Sequence, residues 1–124
     1  MDADGFRAWL DAYFAAWVSN DLDDVRALFS EDARYWTGPF VEPRVGRDEI
    51  AQRWIGGGKE DVEHASEILS VDGDVGVAHW HVRTRGDGAA IIVEMDGILM
   101  ITFDADGRCR EHREWYASRE RPDV

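Results

Sequence analysis

Residues 12–36 read AYFAAWVSNDLDDVRALFSEDARYW, and a change of rhythm inside this stretch decides the fold. Its first part continues a series of large apolar residues at Phe6, Trp9, Leu10, Tyr13, Phe14 and Trp17. Spacings of three and four put them on one face of a helix with 3.6 residues per turn. Asp2 or Asp4 stands where a carboxylate can accept the free N–H groups of the first turn. Ser19-Asn20-Asp21 breaks the series. Asp21 is then placed to cap a short second helix that buries Leu22, Val25, Leu28 and Phe29, with Asp23 and Asp24 at its positive N-terminal end. From Ala33 to Thr37 aromatic and β-branched residues replace the helical spacing, which predicts a strand ended by Gly38-Pro39.

Downstream, Pro39 to Gly46 reads as a loop and Arg47–Ile55 as a third helix, stopped by Gly56-Gly57-Gly58. The period then changes from helix to strand. Val62–Val71, Val75–Arg85, Ala90–Phe103 and Arg108–Ala117 are four strands. Asp72-Gly73-Asp74, Gly86-Asp87-Gly88 and Asp104-Ala105-Asp106-Gly107 separate them. Asp96-Gly97 predicts a bulge inside one long strand, because a hairpin there leaves two very short strands. Helices followed by an antiparallel run of strands make an α+β domain, with the helices on one face of the sheet. No repeat, low-complexity segment or linker divides residues 1–124, which read as one domain.

Charge and composition restrict the function. The chain has 124 residues, 44% hydrophobic and 32% charged, with a net charge of -12. Such an excess of carboxylates repels phosphate backbones and anionic lipid headgroups, so neither nucleic acid nor a membrane surface is an expected partner. The lone cysteine, Cys109, cannot form an intrachain disulfide and reads as a structural thiol. No apolar run is long enough to span a membrane, and the N-terminus lacks a signal-peptide pattern, so the expected compartment is the cytoplasm.

The order α-α-β-α-β-β-β-β resembles the SnoaL-like branch of the nuclear-transport-factor-2-like superfamily. Residues 12–36 look like that family's first two helices and first strand. VGRDEIAQRW at 45–54 looks like its third helix, and FDADGRCREHREWY at 103–116 like its last turn and strand. The resemblance implies a cone-shaped fold, with three helices on a curved sheet enclosing a pocket. It also implies a small hydrophobic ligand, a homodimer built through the sheet face, and no cofactor. Relatives include ketosteroid isomerases, polyketide cyclases, epoxide hydrolases, dehydratases and proteins without catalysis. The isomerases' oxyanion-donor tyrosine falls on Tyr13, but Thr37 and Leu99 stand where their two functional aspartates belong. Ketosteroid isomerisation is therefore not expected.

Alternation along strands sets two faces against each other. His79, His81 and Arg83 share one face of their strand, and Ala78, Trp80 and Val82 the other; His112, Glu114 and Tyr116 share one face of the last strand. The resemblance puts His79, His81, Arg83, His112, Glu114 and Tyr116 on the cavity side. Apolar burial argues instead for Ala78, Trp80 and Val82. On the first choice, Tyr13 polarises a substrate oxygen and His81 or His112 with Glu114 moves a proton, since histidine titrates near neutrality. Arg83 then faces developing negative charge. Tyr35, Trp36, Trp54, His79 and Tyr116 join the ligand wall, while Trp9, Phe14, Trp17 and Phe29 read as core. Glu94 and Asp96 share a face that reads as solvated or dimer-facing. His79-x-His81 is too weak a pattern to predict a metal. Phosphate-loop, nucleophile-elbow and paired-cysteine motifs do not occur.

Two functions follow from these residues. One is a cofactor-free acid/base enzyme, an isomerase, cyclase, dehydratase or hydrolase, acting on a hydrophobic cyclic or polyketide-like molecule. The other is a non-catalytic ligand-binding or dimerisation module, with Trp80, Val82 and Trp115 as its contact patch.

Overall fold

The Asp2 carboxylate accepts the Gly5 N–H at 2.8 Å and so caps helix α1 (Ala3–Ser19). The helix ends on Asn20, whose φ of 51° lies in the left-handed region that a non-glycine residue enters most readily when it is Asn or Asp. Asp21 caps α2 (Leu22–Arg26) by accepting from the N–H groups of Asp23 and Asp24. Strand β1 (Phe29–Trp36) then starts four residues before the expected Ala33. In the computed structural model, residues 1–56, 60–86 and 90–122 are described. The predicted turn at Asp87-Gly88 and the second and third glycines of the 56–58 stop lie outside them.

A two-residue strand, β2 (Arg44–Val45), occupies part of the predicted loop, and α3 (Arg47–Ile55) follows. The long strands are β3 (Glu60–Asp72), β4 (Val75–Gly86), β5 (Ile91–Phe103) and β6 (Cys109–Pro122), the last running five residues beyond its predicted end. They form one open, mixed six-stranded sheet in the order β2-β1-β6-β5-β4-β3. Only β1 and β6 pair in parallel; the other neighbours are antiparallel. The edges are thus β2 and β3.

One face of this sheet carries the core. Phe6, Trp9, Leu10, Tyr13 and Phe14 of α1 are buried in one cluster with Ala78, Trp80 and Val82 of β4 and Leu99, Ile101 and Phe103 of β5. Each fully buried large apolar side chain contributes about 1.5–3 kcal/mol, so the cluster fixes which face the helices cover. The close fit is visible at Gly76, where a Cβ would sit 2.6 Å from the Phe6 ring. Arg7 ties α1 to the sheet by donating to the Ser66 hydroxyl and carbonyl.

The apolar set of β4 therefore wins over the polar one. His79, His81 and Arg83 project from the outer face, opposite the helices, and are half-buried. This corrects the pocket placement that the family resemblance implies for them. Trp80 and Val82 are core and Trp115 lies on the other face, so the three cannot form one contact patch.

Asp96-Gly97 is neither turn nor bulge. The β4–β5 register runs uninterrupted from Val75↔Thr102 to Thr84↔Val93. Gly97 lies between Trp80 of β4 and Tyr116 of β6, whose rings meet with centroids 5.7 Å apart. A Cβ at Gly97 would stand 2.3 Å from the Trp115 carbonyl oxygen and 2.6 Å from the Tyr116 Cβ. Glycine is required here by close strand approach rather than by a turn. Gly97→Ala is expected to destabilise the fold by about 1–3 kcal/mol, read as a lower urea midpoint at unchanged slope; an unaltered midpoint refutes the close-approach explanation.

Candidate active site

The parallel pairing of β1 and β6 sets Tyr35 beside His112, and the alternation of β6 sends His112 and Glu114 to the same, helix-covered face. Tyr13 reaches them from α1. Its hydroxyl lies 3.2 Å from the Tyr35 hydroxyl, which donates to Glu114 Oε1 at 3.1 Å. The result is a buried chain, Tyr13–Tyr35–Glu114, drawn from a helix and two strands. The His112 ring stacks between the two tyrosines, with centroids 4.0 Å from Tyr35 and 5.5 Å from Tyr13.

Burial governs the electrostatics. Loss of solvation pushes the Glu114 carboxyl up to about 7, against the Tyr35 hydrogen bond and the Arg44 charge, which pull it down. Burial, then the neighbouring Glu114 charge, raises both tyrosine hydroxyls well above their ordinary range. They are neutral hydrogen-bond donors and not phenolates. His112 moves the other way: burial lowers its imidazole to about 3, so the ring is neutral at physiological pH. Both its nitrogens are buried without a hydrogen-bond partner among the described residues. Within this network Glu114 is the one group that both gives and takes a proton near neutrality.

A cavity of about 200 Å³ lies against the two tyrosines, both of which are buried. Tyr13, Trp17, Tyr35, Arg44, Arg53 and Trp54 line it. Glu114 and His112 lie behind the tyrosines rather than on the cavity wall. Of the residues anticipated from sequence, Tyr13, Tyr35, His112 and Glu114 come together and Trp54 joins the wall. Trp36 does not: it lies beneath the Arg113 guanidinium, 3.9 Å from its ring centroid. Tyr116 is 44% exposed and packs on Trp80. His112 and Glu114 form no acid–base pair, because the Glu114 partner is Tyr35.

The missing residues have physical reasons. Arg44 belongs to a strand too short to show periodicity, and Trp17 belongs to the core stripe of α1 until the cavity reaches it. The outer-face residues build a separate charge network. Asp96 accepts from His79 Nε2 at 2.9 Å and contacts His81 Nδ1 at 3.1 Å. Those two bonds hold its carboxyl below the usual range. Glu94 pairs with Arg119, Arg121 and His81. Burial pushes the Cys109 thiol up, as suits a structural residue. Among the described residues no group of three or more His, Cys, Asp or Glu side chains is arranged to hold a metal, and no helix is long and apolar enough to cross a membrane.

A helix-covered sheet face with a buried carboxyl behind a tyrosine-lined cavity agrees with what the wider sequence shows. The family model of the SnoaL-like domain matches residues 10–112. The chain belongs to the SnoaL-like domain family. Among curated protein sequences none matches it. Solved structures match the SnoaL-like fold closely at low identity. One is SalBIII, described as an epoxide hydrolase/cyclase-like enzyme in pyran ring formation in polyether salinomycin. It has a TM-score of 0.77 and 15% identity, covering 94% of this chain and 93% of that one. An epoxide hydrolase of the LEH-like kind from M. tuberculosis gives 0.70 and 17%, covering 89% and 80%. A computationally designed 17-OHP binder gives 0.75 and 12%, covering 90% and 95%. At these identities the likeness establishes the fold.

The raised Glu114 carboxyl makes a stability prediction. Between its ordinary value of 4.5 and about 7 the folded chain holds a proton that the unfolded chain has released, so stability from this group falls as pH rises through that window. Glu114→Gln removes the titration. Its stability relative to the parent is expected to rise by about 3 kcal/mol from pH 4 to pH 8, measured by denaturant unfolding at both pH values. A constant difference means that Glu114 does not titrate high.

Proposed function

We propose that this SnoaL-like domain, residues 1–124 as one unit, is a cofactor-free acid/base enzyme for a small, mainly apolar cyclic molecule that carries an oxygen to be protonated. The observation that carries the reading is the Tyr13–Tyr35–Glu114 chain, which ends on one side in a neutral-range carboxyl and on the other at an aromatic cavity. In the ionised state Glu114 accepts from Tyr35, and Tyr35 from Tyr13. When Glu114 is protonated the chain reverses: its carboxyl donates to Tyr35, Tyr35 to Tyr13, and Tyr13 presents its O–H to the ligand.

Protonating the ligand oxygen then breaks the Tyr13 O–H bond while Tyr35 returns a proton to Tyr13 and Glu114 one to Tyr35. The phenols stay neutral throughout, as their raised pKa values require. A nucleophile that adds to the activated carbon, either water or a hydroxyl of the same molecule, loses a proton that restores the Glu114 carboxyl. Ring-opening hydration and cyclisation share this balance. The epoxide chemistry in the descriptions of two fold neighbours makes them the first reactions to test. His112, neutral and stacked between the tyrosines, holds their rings in register. The outer-face His81 has no part in this relay.

With cyclohexene oxide as substrate, diol formation is expected to decline above about pH 7 as Glu114 deprotonates. Glu114→Gln is expected to lose about 10²–10⁴-fold in kcat while retaining its circular-dichroism spectrum, and Tyr13→Phe to lose a comparable factor. Full turnover in Glu114→Gln eliminates the relay. A second reading, a ligand-binding module without catalysis, is favoured by the recession of Glu114 behind the cavity wall and predicts binding with no turnover in any variant.

We also propose that the protein acts in the cytoplasm as a homodimer through the outer sheet face. There Trp115 is 42% exposed beside Ile98, an apolar centre within the His79–Asp96–His81 and Glu94–Arg119 charge network. Light scattering is expected to give twice the 14.1 kDa chain mass and to give the single mass for Trp115→Glu; a monomeric parent refutes the interface.

A further inference from the structure

Taking the aromatic cavity as the ligand site, we infer that its ligand carries a carboxylate on a small aromatic or alicyclic body, with Arg44 as the residue that selects for it. The carboxylate source is the ligand itself and not a free anion, because Arg44 lines a space it shares with Tyr13, Trp17, Tyr35 and Trp54 rather than an open basic surface.

Arg44 is held in place by the backbone. Its strand pairs antiparallel with β1 in the register Tyr35↔Arg44, so the guanidinium root is fixed beside the tyrosine at the centre of the relay. The guanidinium carbon lies 5.5 Å from the Tyr35 ring centroid, an arrangement worth about 0.5–1 kcal/mol that leaves the planar N–H fork free for an anion. No carboxylate stands within 4.0 Å of Arg44 among the described residues, although the sequence holds 26 acidic residues against 14 basic ones. Arg26, Arg83 and Arg119 are matched to Asp48, Glu63 and Glu94. Among the described residues Arg44 shares its lack of a close carboxylate with Arg34, Arg47, Arg110 and Arg113, and what sets it apart is its place on the cavity wall. The second cation at the cavity, Arg53, is already shared with Glu49 at 3.7 Å, and its side chain is 59% exposed.

The walls complete the argument. Trp17 and Trp54 meet each other and Tyr13 edge to face at the cavity, so its wall is largely aromatic. The volume of about 200 Å³ is below the usual range for drug-sized ligands, about 300–1,000 Å³, and suits a body of one or two rings. A ligand anchored at Arg44 by its carboxylate presents its far side to the Tyr13 and Tyr35 hydroxyls. Arg44 is a specificity residue in this arrangement, binding a part of the molecule that does not react.

The test compares trans-cinnamate with trans-cinnamamide, which have nearly the same shape and differ in charge, by titration calorimetry at about pH 6, where the acid is ionised and Glu114 is largely protonated. The parent protein is expected to bind cinnamate about tenfold more tightly than the amide. Arg44→Gln is expected to remove that preference, and an unaltered circular-dichroism spectrum and urea midpoint report that the variant is folded. Arg44→Lys, which keeps the charge and loses the fork, is expected to fall between the two and serves if the Gln variant does not fold. Equal binding of acid and amide by the parent overturns the carboxylate inference while the ligand site stands. Binding of neither overturns both. An acid preference that survives in Arg44→Gln places the anion elsewhere and overturns the role given to Arg44.

Discussion

The arrangement depends on a carboxyl buried behind two tyrosines. A carboxylate removed from water with no partner is unstable by several kcal/mol. Glu114 meets that cost partly by accepting the Tyr35 hydroxyl and partly by keeping its proton up to about pH 7. The proposed acid/base role of the residue rests on the second response. The same burial holds His112 neutral and the tyrosines protonated, so one physical cause sets the state of four side chains. None of it survives if β6 slips by one residue, because Glu114 then turns to the outer face.

That register is protected from several directions. Tyr35↔His112 pairs β6 to β1, and Gly97 admits Tyr116 to within contact of Trp80 on the other side. Phe6 seated over Gly76 fixes α1 against β4, and α1 in turn carries Tyr13. Core packing and site geometry are therefore one set of contacts: the helix that covers the apolar face also delivers the Tyr13 hydroxyl to the Tyr35–Glu114 pair.

Much of the fold was legible in the sequence because its signals are local. The apolar spacing from Phe6 to Trp17, the Asp2 and Asp21 caps and the turn glycines at 73 and 107 each act within a few residues. The site was half legible. Tyr13 follows from the family resemblance, His112 and Glu114 from strand alternation taken with it, and Tyr35 from its place among the ligand-wall aromatics, but His79, His81 and Arg83 were assigned to the cavity side although Ala78, Trp80 and Val82 alternate with them. There the apolar burial rule decided, and the resemblance to catalytic relatives misled. Arg44 gave no sequence signal, since two residues of strand show no period and only the pairing with Tyr35 gives the residue its position. At Asp96-Gly97 a local rule for turns and bulges lost to a tertiary demand for space.

The edge strand β3 has a consequence for how copies of this chain meet. Its outward residues Asp61, Glu63 and Glu67 face Arg85, Arg83 and His79 in register across β4. Inside the sheet every acid of that series meets a base. A second copy offering its own β3 to the free edge would set acid against acid along the new ladder, and like charges directly opposite are unfavourable. The strand thus reads its neighbour's sign: it accepts β4 and refuses itself. Open-ended growth of the sheet from molecule to molecule is blocked by the same residues that hold the outermost strand in place.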